Sequence, residues 1–154
     1  MLIEYNKIDE DSRLWIFTSD RKIKENQEKV INNLLSNFLT NWQSHKSPLF
    51  AGYNIFKSFF LVIALDESQN SASGCSIDLL YKEILKIEIS LNLSFTNRLR
   101  ICINDNNIIK SVLLSELKKH ADKESLFYDT TINIKKDLKK LLKPIKQGWC
   151  KDYL

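Results

Sequence analysis

Phe59-Phe60-Leu61-Val62-Ile63-Ala64-Leu65-Asp66-Glu67-Ser68-Gln69-Asn70-Ser71-Ala72-Ser73-Gly74-Cys75-Ser76-Ile77-Asp78 changes character twice within twenty residues. Phe59 to Leu65 is wholly apolar, as a central strand covered on both faces requires. Two carboxylates end the run. Nine small or polar residues, Ser68 to Ser76, follow and include one of the chain's three glycines. From Ile77 onward, Leu80, Tyr81, Ile84 and Leu91 recur at helical intervals, which predicts an amphipathic helix over about 76–92.

Working outward, Ser12–Thr18 carries Leu14-Trp15-Ile16-Phe17, an aromatic and β-branched run suited to a buried strand. Ser19 and Asp20 offer a helix cap, and Val30, Ile31, Leu34, Leu35, Phe38, Leu39 and Trp42 mark a helix over 24–45 that Pro48 stops. Ala51–Phe56 pairs with Phe59–Asp66 through a tight turn at Lys57-Ser58. Arg98–Ile103 alternates polar and apolar residues, a strand with one wet face, and Asn104-Asp105-Asn106-Asn107 turns it. The order strand, helix, strand, strand, helix, strand predicts an α+β chain. Its specific form would be a ferredoxin-like βαββαβ sandwich with both helices on one face of a single antiparallel sheet. The central strands would be Ser12–Thr18 and Phe59–Asp66, and Trp15, Phe38, Phe60, Val62, Leu80 and Ile84 would be core.

Helical patterns over Ile109–His120 and Ile134–Lys143, with Leu126-Phe127-Tyr128 as a short strand between them, predict a C-terminal helical extension of about 108–154 on a core of about 12–104. Gly148-Trp149-Cys150 is expected to dock on the body. The 154 residues form one domain by this reading, and 44% hydrophobic with 27% charged side chains is ordinary for a globular chain. No apolar run approaches the ~20 residues of a membrane span. Met1–Asp11 has no cationic segment leading into an apolar one, so the expected compartment is the cytoplasm. Three cysteines, at 75, 102 and 150, form no CxxC pair and read as reduced thiols.

The net charge of +4 is unevenly placed. Residues 1–109 carry 12 basic and 13 acidic side chains, residues 110–154 carry 11 and 6. Lys135, Lys136, Lys139, Lys140 and Lys143 share one face of the last predicted helix and could track a phosphate backbone. A solvated face explains them as well, and AT-rich codons favour lysine: 19 lysines stand against 4 arginines.

Glycines at 52, 74 and 148 alone cannot build GxxxxGK[ST] or GxGxxG, so a Walker-type ATPase is excluded. No zinc spacing occurs, and neither a metal nor another cofactor is expected. The strand-loop-helix order nevertheless sets Ser71, Ser73, Gly74, Cys75 and Ser76 at a helix N-terminus, where free N–H groups and the helix dipole favour an anion. A plain cap, with Ser73 as N-cap, accounts for the same residues. Cys75 could be a nucleophile favoured as thiolate, or an idle small thiol; neither His45 nor His120 is placed near it by the sequence. Asp66, Glu67 and Asp78 could hold Mg²⁺ or serve as acid and base, but acids at a strand end and in a first helical turn are more often solvated or part of a cap. Cys102, inside a strand, reads as core.

At Arg13-Leu14-Trp15-Ile16-Phe17, Leu65-Asp66-Glu67, Ser71-Ala72-Ser73-Gly74-Cys75-Ser76-Ile77-Asp78 and the closing Trp149, the chain resembles a small family of Bacteroidota-type bacteria labelled "ABC transporter ATPase". The resemblance covers nearly the whole chain. It implies no catalytic residues, and where that family carries His after the last Trp this chain has Cys150.

The function expected is that of a non-catalytic binding or adaptor module, holding an anionic ligand or a protein partner at loop 68–78. The alternatives are an enzyme of acyl or thiol transfer using Cys75 with Asp66 or Asp78, and an RNA- or ribosome-associated protein using the lysine face.

Overall fold

A computed structural model describes residues 1–154. Its first sheet has three strands in the order β1-β5-β4: β1 (Arg13–Thr18), β5 (Phe60–Asp66) and β4 (Phe50–Phe56), all neighbours antiparallel. The apolar run quoted above is its middle strand, and every residue from Phe60 to Leu65 is wholly buried. Side chains alternate across a strand. Leu61, Ile63 and Leu65 therefore pack under the helices, while Phe60, Val62 and Ala64 face the opposite way into a second apolar cluster. Lys57 and Ser58, both at positive φ, turn the three-residue connection Lys57–Phe59 between β4 and β5, which Phe59 N–H closes on Phe56 O.

Helices α1 (Glu25–Asn41) and α2 (Gly74–Leu91) lie on one face of this sheet, joined through Ile31, Leu35, Leu39, Leu80, Ile84 and Ile87. Of the six residues expected in the core, Phe60, Val62, Leu80 and Ile84 are wholly buried, whereas Trp15 and Phe38 are partly buried. α1 ends four residues before the expected limit at 45. Trp42 leaves the helix with extended backbone, and its buried indole N–H donates to the Ser76 carbonyl at 2.8 Å. The chain then makes a small hairpin of β2 (Gln43–Ser44) and β3 (Ser47–Pro48), turned by His45 and Lys46 at φ of 51° and 67°. Pro48 thus lies in a strand and does not stop the helix.

The departure from a ferredoxin-like sandwich comes at the fourth long strand. β6 (Arg100–Asp105) does not pair with β1; it joins a second sheet in the order β7-β6-β8-β9. β7 (Ile108–Leu113) occupies the start of the expected helix 109–120, because Asn106 and Asn107, at φ of 51° and 66°, make a tight hairpin that returns the chain along β6. Only Leu117–His120 is α-helical there, as α3. β8 (Leu126–Tyr128) is the expected short strand, and the pattern at 134–143 resolves into a 3-10 turn over Lys135–Lys140 and an edge strand β9 (Leu142–Pro144). Pro144, lacking an N–H, suits such an edge. Residues 108–154 are thus no helical extension: they supply three of the four strands of the second sheet, and the expected boundary falls inside a hairpin.

The two sheets face each other. Phe60, Val62 and Ala64 meet Cys102, Tyr128 and Leu141 between them. The outer face of the second sheet, with Ile101, Ile103, Val112 and Phe127, is covered by Leu117, Ile145 and the wholly buried Cys150. Gly148 lies so close to Phe127 that an added Cβ would sit 2.2 Å from its ring, so the docking of the C-terminal turn depends on the missing side chain. A short seam ties β1 to the C-terminal part: Leu14 N–H donates to Asn133 O, and Lys135 N–H to Ser12 O, each at 2.9 Å. Beyond that seam β1 is an edge strand, not the central one the element order implies. No helix is long and apolar enough to cross a membrane.

Candidate functional site

Loop 68–78 is tightly self-engaged. Ser73 accepts from the Ser76 N–H at 3.1 Å, and Ser76 Oγ accepts from the Ser73 N–H at 2.7 Å, a reciprocal cap of α2. Glu67 accepts from the Ala72 N–H and Asp66 from the Ser68 N–H, while Asn70 donates to the Ser47 and Pro48 carbonyls. These bonds use up much of what an anion would need and set two carboxylates beside it. Gly74 has ordinary negative φ and open space around it, so it is a helix-start residue of no special geometry. Ser71 and Asp78 are exposed, and Ser76 is buried beneath the cap.

Cys75 is exposed and hydrogen-bonds to no histidine or carboxylate. His45 lies in the β2–β3 turn, and His120 Nδ1 contacts Lys110 Nζ at 3.2 Å. Asp66 and Glu67 line an open cleft of about 820 Å³ at the far end of β1, with Asp9, Asp11 and Arg13 on its other wall. Its charges are largely paired: Arg13 reaches Glu67 at 3.8 Å and Lys136 holds Asp11 at 2.7 Å. These carboxylates do not converge as a group that could hold a metal ion.

The lysine face is dispersed. Lys135 is buried, donates to the Tyr5 and Ile8 carbonyls at 2.9 and 2.6 Å, and stands over the Tyr5 ring. Lys136 is paired with Asp11, Lys140 lies 3.9 Å from Asp137, and Lys143 holds Asp129 at 2.7 Å. Lys139 alone among them has no carboxylate partner. The helical periodicity that put them on one face is absent from a 3-10 turn.

A second concavity has a different chemistry. It is a groove of about 390 Å³ between the two sheets, where β1 ends its seam with the C-terminal segment. Ile16, Phe17 and Thr18 form one wall, Thr130 and Thr131 the other, and Arg98, Arg100, Phe95 and Trp149 the floor and rim. No acidic residue lines it. Of the four arginines, Arg13 and Arg21 pair with carboxylates, and Arg98 and Arg100 with none. Arg100 is aimed: its Nε donates to Ser111 Oγ at 2.9 Å and one terminal nitrogen to Ser111 O at 3.1 Å, so β7 orients the guanidinium. A guanidinium so held offers its remaining N–H groups as a fork suited to a carboxylate or phosphate.

The walls are braced from behind. Glu88 Oε2 accepts from the N–H groups of Phe95 and Thr96 at 2.6 and 2.9 Å, which fixes the turn leading to Arg98. Asp129 accepts from the Thr131 N–H at 3.1 Å and from Lys143 at 2.7 Å. Burial opposes its charge, yet these hydrogen bonds outweigh it and hold the Asp129 carboxyl below the usual range. Glu88 and Asp129 are thus engaged in its scaffolding. Burial also pushes the Cys102 thiol, on the strand of Arg100, up to about 12 despite the pull of Ser111 and Arg100, which makes it a structural residue.

In the sequence, Arg98 and Arg100 read as the wet face of a strand. Half of all the arginines falling within three residues was a signal, but the groove also needs Thr130, Thr131 and Trp149, which only the paired sheets bring to it. The chain matches no protein-family model, no curated protein and no solved structure.

Proposed function

We propose that this protein is a non-catalytic binding module for an anionic ligand, held in the groove between the two sheets by Arg98 and Arg100. One observation carries the reading: two arginines without carboxylate partners lie in a groove that no acidic residue lines. An uncompensated pair of cations in one concavity attracts negative charge, and the threonine hydroxyls and the Trp149 ring supply hydrogen bonds and apolar contact around it. Loop 68–78 supports the fold through its cap and supplies no comparable cation. Nothing in the groove positions a nucleophile against a base, so the reading assigns binding and no turnover.

Amide chemical shifts followed during titration with citrate test the reading. Shifts should concentrate at Thr18, Thr96–Arg100 and Thr130–Thr131, weaken with added salt, and disappear in Arg98→Gln/Arg100→Gln. Shifts confined to Ala72–Ile77 would return the ligand to the helix start, and no shift at millimolar citrate would end the anion reading.

A further inference from the structure

The edge of β1 carries backbone groups that its own fold leaves open. In the β1–β5 ladder, Arg13, Trp15 and Phe17 exchange hydrogen bonds with β5, since Ser19 N–H continues that series to Phe59 O. The N–H and C=O groups of Leu14, Ile16 and Thr18 therefore point away from β5. Leu14 N–H is met by Asn133 O, and the Arg13–Ile134 bridge sets an antiparallel register along that edge. Continued by one pair, the register would place Thr131 opposite Ile16. It does not continue. Thr131 N–H turns instead to Asp129 Oδ1, and no backbone or side-chain partner reaches the outward groups of Ile16 or Thr18.

The groove opens at this divergence. Its β1 wall is a bare strand edge, and both Ile16 and Thr18 are partly exposed. Proteins usually blunt such an edge with proline, lysine or a covering loop; Trp15-Ile16-Phe17-Thr18 has none of these. Outward groups recur every second residue, about 6.8 Å along an extended strand, each an N–H donor beside a C=O acceptor; another extended polypeptide supplies both partners at that spacing, whereas a phosphodiester supplies acceptors alone. The positive charge of Arg98 and Arg100 beside that edge selects a segment that is itself acidic.

We propose that the ligand is an extended peptide segment bearing carboxylates, which adds as a short strand to the β1 edge at Ile16 and Thr18 while Arg98 and Arg100 hold its acidic end. This rests on the reading of the groove as an anion site and specifies the occupant. The mode is strand addition, with main-chain bonds giving affinity and the charged end giving direction. Trp149, an exposed ring at the groove, flanks the inserted strand and covers its apolar side chains.

The test compares acetyl-Val-Thr-Val-Asp with a free C-terminus, its uncharged Asn-amide analogue, the acid with its central amides N-methylated, citrate, and an oligouridylate, each titrated into the full chain. Affinity is measured together with hydrogen exchange at Ile16 and Thr18. The acid, with two carboxylates that the amide analogue lacks, should bind about tenfold or more tighter, the loss expected for even one charge-assisted contact. N-methylation should cost a similar factor, and exchange at Ile16 and Thr18 should slow only with the unmethylated acid. Arg98→Gln/Arg100→Gln should abolish the preference for the acid while leaving the far-ultraviolet spectrum unchanged. Citrate binding as tightly as the peptide, with no protection at Ile16 and Thr18, overturns the peptide and leaves the anion site standing. Oligouridylate binding more tightly than the peptide also overturns it. Failure of both citrate and peptide to bind removes the two readings together.

Discussion

The indole N–H of Trp42 donates to the carbonyl oxygen of Ser76 across 2.8 Å, in a buried place, and so couples the end of one helix to the first turn of the next. Trp42 also packs on Trp15 and Phe38, with ring centroids 6.0 and 5.6 Å away. Trp42→Phe keeps an aromatic ring but removes the donor and part of the volume. We expect a loss of about 1–3 kcal/mol in urea unfolding, from one buried hydrogen bond and a small cavity. A loss under about 0.5 kcal/mol, the usual scatter of surface changes, would mean the contact is incidental.

The glycines separate by environment. A Cβ at Gly52 would stand 2.4 Å from the Ile3 carbonyl oxygen, and one at Gly148 would meet the Phe127 ring, whereas nothing lies within 4 Å at Gly74. Gly52→Ala and Gly148→Ala should each lower the melting temperature by several degrees, since about 1–3 kcal/mol of overpacking is involved. Gly74→Ala should raise stability by about 0.4–1 kcal/mol through the unfolded chain. Thermal melts of the three variants discriminate directly between these environments.

Stability should fall at both ends of the pH range for different reasons. Asp129 has its carboxyl pKa depressed in the folded chain, so its contribution is present above the unfolded value and lost as pH drops through the folded one. Below about pH 4 the native protein should weaken, and Asp129→Asn should weaken less steeply there. Cys102 runs the other way: burial raises its thiol to about 12, so above the unfolded thiol value the unfolded state gains by ionising and stability declines towards pH 12. Tyr5, raised to about 12 by burial and then by Glu10, adds to the same decline. Cys102→Ala and Tyr5→Phe should each flatten the alkaline slope in chemical denaturation.

Lys135 and Lys139 differ by four positions and should differ greatly in consequence. Lys135→Met removes a buried ammonium that ties Tyr5 and Ile8, and leaves two carbonyls without their donor. A loss of about 2–4 kcal/mol follows from unsatisfied buried groups. Lys139→Glu should stay within about 0.5 kcal/mol. Equal, small effects on folding combined with equal losses of RNA affinity would instead favour a phosphate-tracking face.

Alkylation sorts the thiols by exposure. Cys75 is exposed while Cys102 and Cys150 are buried, so iodoacetamide should label one thiol in the native protein and three after unfolding. Cys75→Ser should change stability by no more than about 0.5 kcal/mol. Labelling of all three at equal rates under native conditions would contradict the packing of the second sheet.

The first half of the fold is readable because its signals are local. Lys57-Ser58 between two apolar runs makes a hairpin, Ser73 caps a helix, and the helical stripes of α1 and α2 end on one face of β5. The second half is not, because its short strands borrow stability from partners far along the chain. Ile108–Leu113 carries spacings that also fit a helix, and only the Asn106-Asn107 turn decides for a strand. Leu142–Pro144 is three residues long and exists as a strand through β8. The groove was hidden for the same reason: Arg98, Thr131 and Trp149 become neighbours only after both sheets have formed.

The seam between Leu14 and Asn133 also orders events in time. Strands β1, β4 and β5 with both long helices draw on residues 13–91, so their contacts can form while the rest of the chain is still being made. The Leu14–Asn133 bond cannot close until residue 133 has been made, and contacts of such sequence separation carry a large loop-closure entropy. Until then the nascent chain exposes the β1 edge along its full length, Leu14 included. A molecule that recognises a bare β1 edge would meet its widest opening on the ribosome, before the segment around Asn133 arrives to narrow it.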